Sequence, residues 1–291
     1  MKKHSLVPQF LKMRNLITAV TISGLVFSCS QENIATIEDA NSAKSSESSA
    51  RVQSQIWYGN PNNPYLESFY ALNTEQGEDG SVVQAGDPTY GSIWKVNKPS
   101  GSKRAELSQT NPNDPAPNTS NKYVPSEGST IYLGWRWKGN IAGSSFPDEG
   151  FAIFQNKSTN NGSQNYPFNM DWDGKEVTLN KFVTGSGSQS SRKTTIWRKA
   201  ISENQWVKFV MKIKFSKNTS VGTLEFWYNG AKQTLTGQNN STDKRLTHRT
   251  LDDEGNYFKW GAYNEASRNF NITVYLDEMR VASDLATAQP D

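Results

Sequence analysis

Histidine and cysteine, which most often supply bases, nucleophiles and metal ligands, are nearly missing from this 291-residue chain. There are two histidines, His4 and His248, and one cysteine, Cys29. His4 lies in the leader identified below, so a Ser-His-Asp triad would depend on His248 alone, and the Gly-x-Ser-x-Gly turn that presents a nucleophilic serine does not occur. A metal site of several His or Cys ligands is excluded, and so is an internal disulfide. Proton chemistry therefore falls to a carboxylate, a lysine or a tyrosine. Three segments hold such residues at strand spacing. In Gly101-Ser-Lys-Arg-Ala-Glu-Leu-Ser108, Arg104 and Glu106 alternate with Ala105 and Leu107. In Phe151-Ala-Ile-Phe-Gln-Asn-Lys157, Gln155 and Lys157 share a face. In Tyr257-Phe-Lys-Trp-Gly-Ala-Tyr-Asn264, Tyr257, Lys259, Gly261 and Tyr263 point one way and Phe258, Trp260 and Ala262 the other. A glycine between Lys259 and Tyr263 leaves space for a ligand against the backbone. Each segment alone reads as an ordinary solvated sheet face.

The elements that must hold these segments are strands. Residues 130–137, 150–155, 206–215, 223–228 and 270–276 are rich in β-branched and aromatic residues. Asn229-Gly230, Asp173-Gly174 and Gly185-Ser-Gly187 separate such runs as turns. In 206–215, Val207, Phe209, Met211, Ile213 and Phe215 face one side and Lys208, Lys212 and Lys214 the other. No long helix and no fixed-period repeat is found. The expected fold is all-β: by analogy with sandwiches that bind long polymers, a β-jelly-roll of two curved antiparallel sheets with a concave groove.

Residues 1–28 read as a lipoprotein signal peptide. Lys2, Lys3, Lys12 and Arg14 precede an apolar stretch, Leu16 to Phe27, that ends in Val26-Phe27-Ser28-Cys29. Cys29 is then the lipidation site, which implies export and anchoring in a bacterial outer membrane, with exposure at the cell surface or secretion as the other outcomes. Residues 29–52 are Ser-rich and polar and read as a flexible tether, leaving 53–291 as the folded domain. The formal charge of +3 comes from the leader, whose four basic residues have no acidic counterpart. A near-neutral domain is a poor nucleic-acid binder, since that affinity needs many phosphate contacts. An anionic ligand must be met by a local basic site.

Together, Arg104-Ala-Glu-Leu107, Gln155-Asn-Lys157 and Tyr257-Phe-Lys-Trp-Gly-Ala-Tyr-Asn264 resemble the motifs of the jelly-roll polysaccharide lyases, in the same order. That group includes alginate lyases, glucuronan lyases, heparin lyase I and ulvan lyases, and the resemblance spans most of 53–283. Val274 to Val281 is also similar to the group's last strand. Most of the group carries His two residues after the Gln; here Lys157 holds that place, as in the ulvan lyases of polysaccharide lyase family 28.

The resemblance implies β-elimination from a uronate. Its carboxylate charge must be neutralised, a base must take the C5 proton, and an acid must protonate the departing O4. Arg104 and Gln155 are expected at the carboxylate. Lys157 serves as base only if its pKa falls well below the free value of about 10.4. Tyr263 is the expected acid; alternatively Tyr263 does both jobs and Lys157 only neutralises charge. His248, Arg249, Lys259, Asn156, Glu106, Arg136 and Tyr257 are expected substrate contacts. Asp277, beside Glu278 at the last strand, is a candidate ligand for a structural calcium, and no cofactor is expected in catalysis. The expected partner is an anionic, ulvan-type polysaccharide acted on by a monomer. Two rivals remain. A glycoside hydrolase would draw its carboxylates from Asp171, Asp173 and Glu176. A lectin or binding module would stack sugars on some of the nine tryptophans. Alginate or glucuronan are the other substrates considered.

Overall fold

Period-two alternation of apolar and polar residues runs through almost every strand of the chain, so each strand has one face to bury. The computed structural model describes residues 54–75, 79–110, 123–142, 150–159, 163–185, 192–239, 242–264 and 267–291. The expected leader, the tether, Cys29 and the Ser186-Gly187 part of one turn lie outside them. In chain order the first strands are β1 (Gln55–Gly59), β2 (Ala71–Asn73), β3 (Ser81–Asp87), β4 (Gly91–Lys98) and β5 (Arg104–Ser108). Next come β6 (Thr130–Ala142), β7 (Phe151–Ser158), β8 (Phe168–Trp172), β9 (Glu176–Phe182) and β10 (Lys193–Ala200). The last are β11 (Val207–Lys214), β12 (Thr223–Tyr228), β13 (Ala231–Lys232), β14 (Leu246–Thr247), β15 (Asn256–Tyr263) and β16 (Asn271–Ala282). Two four-residue helices, α1 (Tyr65–Ser68) and α2 (Leu285–Ala288), complete the described elements.

The strands form two antiparallel sheets, the jelly-roll sandwich expected. The first has the order β13-β12-β11-β6-β16-β4-β3, with β1 added on β16 and β14 on β12. The second has the order β10-β9-β8-β7-β15-β5-β2. Their inner faces meet through aromatic rings. Trp57 stacks on Trp260 at 5.7 Å, Trp135 on Phe154 at 4.9 Å, and Trp137 meets Trp172 edge-on at 4.9 Å. Trp57, Trp94, Trp135, Trp137, Trp172 and Trp260 are each at most 2% exposed. They are core, and the lectin reading loses most of its platforms.

The alternation expected in 206–215 is realised: Val207, Phe209, Met211, Ile213 and Phe215 are buried beneath an outward row of lysines. Asn229 and Gly230 both have positive φ (47° and 80°), which makes them the two-residue turn joining β12 to β13. β6 and β16 run further than expected because they pair along most of their length, Asn271 with Ala142 through to Ala282 with Tyr132. That ladder carries the strand through Gly139 and Asn140, whose own propensities would end it.

Candidate active site

The three charged segments become β5, β15 and β7, and they lie side by side in the second sheet with β15 in the middle. Cross-strand register then fixes the neighbours. Tyr263 pairs with Arg104 and Gly261 with Glu106 on one side; Lys259 pairs with Gln155 and Tyr257 with Lys157 on the other. Ala105, Leu107, Phe154, Phe258, Trp260 and Ala262 point into the core. Their alternate neighbours therefore share the outer face.

Glu106 is the hub of that face. It is 1% exposed, and its carboxylate accepts from Gln155 Nε2 at 2.5 Å and from Lys259 Nζ at 2.6 Å. Arg104 Nε lies 3.3 Å from Glu106 Oε2, an ion-pair contact whose angle leaves that N–H without a hydrogen bond. Arg104 also pairs with Glu75 at 3.4 Å, and its guanidinium lies over the Tyr263 ring, 4.2 Å from the centroid. Gln155 reaches Glu106 across β15, a span of two strand spacings or about 9.5 Å, which two long side chains can close. Gly261 is required here for a reason other than the one expected. Its φ is 148°, and a Cβ would stand 2.1 Å from the Ala105 carbonyl oxygen. The glycine admits the backbone of β5, not a ligand.

Lys157 stands beside this cluster. Burial, then the charge of Lys259, lowers its pKa to about 8; Glu106 opposes the shift and Arg104 adds to it. Its ammonium donates to Asn165 Oδ1 and lies 5.7 Å from the centre of the Tyr166 ring. Asn165 has a φ of 63°, a left-handed conformation that Asn tolerates better than most residues. The segment bearing it is tied down by Asp252, which accepts from Ser158 Oγ at 2.5 Å, Ser163 Oγ at 2.9 Å and the Gln164 amide at 2.7 Å. Burial raises the Tyr166 phenol, with Asp171 and Tyr263 adding to the effect. Tyr257 is likewise pushed up to about 12, by burial first and Glu106 second.

The polar face continues over β8, β9 and β10. Asp171 accepts from Asn169 at 2.7 Å, Asn180 at 3.0 Å and Lys193 at 2.6 Å, and Thr195 donates to Asn180 at 2.8 Å. Asp171 is thus consumed by a network, Asp173 caps a turn by accepting from the Lys175 and Glu176 amides, and Glu176 pairs with Arg198. All three carboxylates named for the glycoside-hydrolase reading are thus engaged by neighbouring donors, not held ready for an acid and a base flanking a sugar.

A family model described as "Polysaccharide lyase" matches residues 43–280. The chain belongs to the polysaccharide lyase family. Among solved structures, the lyase is similar to the endo-β-1,4-glucuronan lyase of the fungus Trichoderma reesei, at 16% identity and a TM-score of 0.59, covering 81% of this chain and 99% of that one. It is also similar to the family-7 alginate lyase A1-II′, at 13% identity and a TM-score of 0.46, covering 69% of this chain and 84% of that one. No curated protein matches its sequence.

Several expected contacts of the lyase lie elsewhere. Asn156, between two outward residues, must face inward: it is fully buried and donates to the Thr250 carbonyl. Arg136 belongs to β6 in the other sheet, where it pairs with Asp277 and lies 4.1 Å from the Tyr90 ring centroid. Asp277 is neutralised by that arginine, and Glu278 by Arg280 at 2.6 Å. Such a donor set does not fit calcium, and among the described residues no group of three His, Cys, Asp or Glu could hold a metal. His248 is buried with a ring nitrogen 3.3 Å from the Pro167 carbonyl; burial, with Lys181 adding, lowers its pKa to about 4. Arg249 pairs with Asp252 and Asp253. Glu106 and Lys259 are in the cluster but bind each other, and a buried carboxylate would repel a uronate rather than hold it. Asn165, Tyr166 and the Asp171 network were not expected. The alternation Phe168-Asn-Met-Asp-Trp172 was the available signal for the last.

Proposed function

We propose that the lyase cleaves a uronate-containing, ulvan-type sulfated glycan by β-elimination. Lys157 takes the C5 proton; the electrons of that bond form the C4–C5 double bond as C4–O4 breaks; and Tyr263 gives its hydroxyl proton to the departing O4. Arg104 and Gln155 meet the uronate carboxylate, which makes the C5 proton more acidic. The observation that carries this reading is the sharing of one buried carboxylate, Glu106, by Arg104, Lys259 and Gln155 beside a lysine whose pKa is lowered to about 8. Two cations, Arg104 and Lys259, thus stand on the face that an anionic sugar would meet, beside a base that can be neutral.

Purified protein should raise the ultraviolet absorbance of an ulvan solution as unsaturated uronate ends form, and act far less on alginate, glucuronan and heparin. Equal or greater activity on one of those three would overturn the ulvan assignment, and no absorbance change on any of them the elimination itself. Carried on a lipid at Cys29, the lyase would meet such polymers outside the cell. Fatty-acid labelling of the expressed protein should disappear in Cys29→Ala; undiminished labelling would refute the anchor.

A further inference from the structure

Lys98 closes β4 and is 1% exposed. Its three N–H groups match three close backbone carbonyls, Ser102 at 2.6 Å and Ser267 and Phe270 each at 2.8 Å, and the Pro99 carbonyl at 3.3 Å shares one of these donors. A buried ammonium is strongly disfavoured unless its protons are met, so this arrangement is specific. Pro99 and Ser102 lie on the connection that carries the chain from the first sheet to β5. Ser267 and Phe270 lie on the return from β15 to β16. The first connection delivers Arg104 and the second departs from Tyr263, and these two residues are cross-strand partners. Further contacts join the same two stretches: the Asn264 amide donates to the Lys103 carbonyl at 3.1 Å and the Gly101 amide to the Arg268 carbonyl at 2.8 Å. Lys98 grips both stretches from the buried side, and on the exposed side the Arg268 guanidinium donates to the Gly101 carbonyl at 2.5 Å.

We propose that Lys98 is a positioning residue for the elimination: its ammonium, clamped on carbonyls of both connections, sets the placement of Arg104 against Tyr263. This rests on the reading that those two residues act on one sugar. A misplacement of about 1 Å far from the chemistry can cost about a hundredfold in rate, and a shift of that kind is what loss of the clamp permits.

Lys98→Met keeps the reach of the side chain and removes its donors. It should retain the wild-type circular dichroism spectrum and lose about a hundredfold in kcat, with a rise in KM smaller than that of Arg104→Ala, because the guanidinium is displaced and not removed. In Lys98→Ala the vacated cage should accept a short primary ammonium. Added propylammonium should then restore kcat saturably, whereas tetramethylammonium, equally charged but without N–H donors, should not. A folded Lys98→Met with wild-type kcat overturns the proposal, as does equal rescue by both amines. If neither variant folds unaided, Lys98→Ala is refolded with propylammonium. Recovered protein whose kcat falls on removal of the amine supports the proposal; amine-independent kcat, or no recovery, makes Lys98 a folding residue only and overturns it. Tyr263→Phe in the same assay separates the two readings. If it too is fully active, the site assignment has failed; if it is inactive while folded Lys98→Met is active, only the role of Lys98 has failed.

Discussion

Lys157→Met should leave a folded lyase that still binds polymer and cleaves it about a hundred to ten thousand times more slowly. Methionine keeps the length and apolar stem of the side chain, so packing against Tyr166 is largely preserved and the loss reports the nitrogen. The expected size follows from the titration of that nitrogen. With its pKa lowered to about 8, roughly a tenth of the side chain is neutral at pH 7. A free lysine near 10.4 would be neutral in only about four molecules in ten thousand. Burial and the charge of Lys259 thus raise the population of the base by over two orders of magnitude.

The pH dependence carries the sign. The neutral amine is the active form, so kcat/KM should rise about tenfold per pH unit below the pKa and level off above about 8, since that ratio reports the uncomplexed enzyme. The rise in kcat should sit at higher pH, because a bound uronate carboxylate favours the ammonium form. Lys157→Met should abolish this rising limb along with the rate. Near-wild-type elimination by the variant would transfer the base role to Tyr263. A flat kcat/KM between pH 6 and about 9 in the parent protein would rule out a base that titrates near 8, and Lys157 with it.

The parts of this site that could be read in the sequence are those governed by alternation alone. The outward positions of Arg104, Gln155, Lys157 and Lys259 follow from apolar neighbours on either side, and all four lie on one face of the second sheet. Asn156 obeys the same rule: a residue between two outward neighbours faces in. Arg136 could not be placed this way, because the alternation of a strand says which face a residue takes but not which sheet the strand joins. The hub at Glu106 was hidden for a related reason. Its partners come from β5, β7 and β15, and only the register across three strands shows that one carboxylate is shared among them. Gly261 gave the right signal with the wrong cause, since a glycine in a strand marks close approach without telling of what. Asn165 and Tyr166 reach Lys157 from an irregular stretch held by hydrogen bonds to Asp252, and such stretches have no period to read.

Tyr263→Phe tests the other half of the proton transfer and should also cost about a hundred- to ten-thousand-fold in kcat. The substitution is clean because of the Arg104 stack. The guanidinium lies over the ring face at 4.2 Å, and phenylalanine presents the same face. Arg104 should therefore keep its place between Glu106 and Glu75, losing with the hydroxyl only its hydrogen bond to it. KM should change little, whereas Arg104→Ala should raise KM as well as lower kcat, since it removes a contact to a charge already present in the ground state. The rising limb of kcat/KM should survive in Tyr263→Phe, because it belongs to Lys157. If base and acid serve one transition state, the double variant Lys157→Met with Tyr263→Phe should lose less than the product of the single losses, as groups that act as a unit do. Fully multiplicative losses would mean that the two residues act in separate steps. Wild-type kcat in folded Tyr263→Phe would leave O4 without its proton donor and would remove the phenol from the mechanism, whatever Lys157 does.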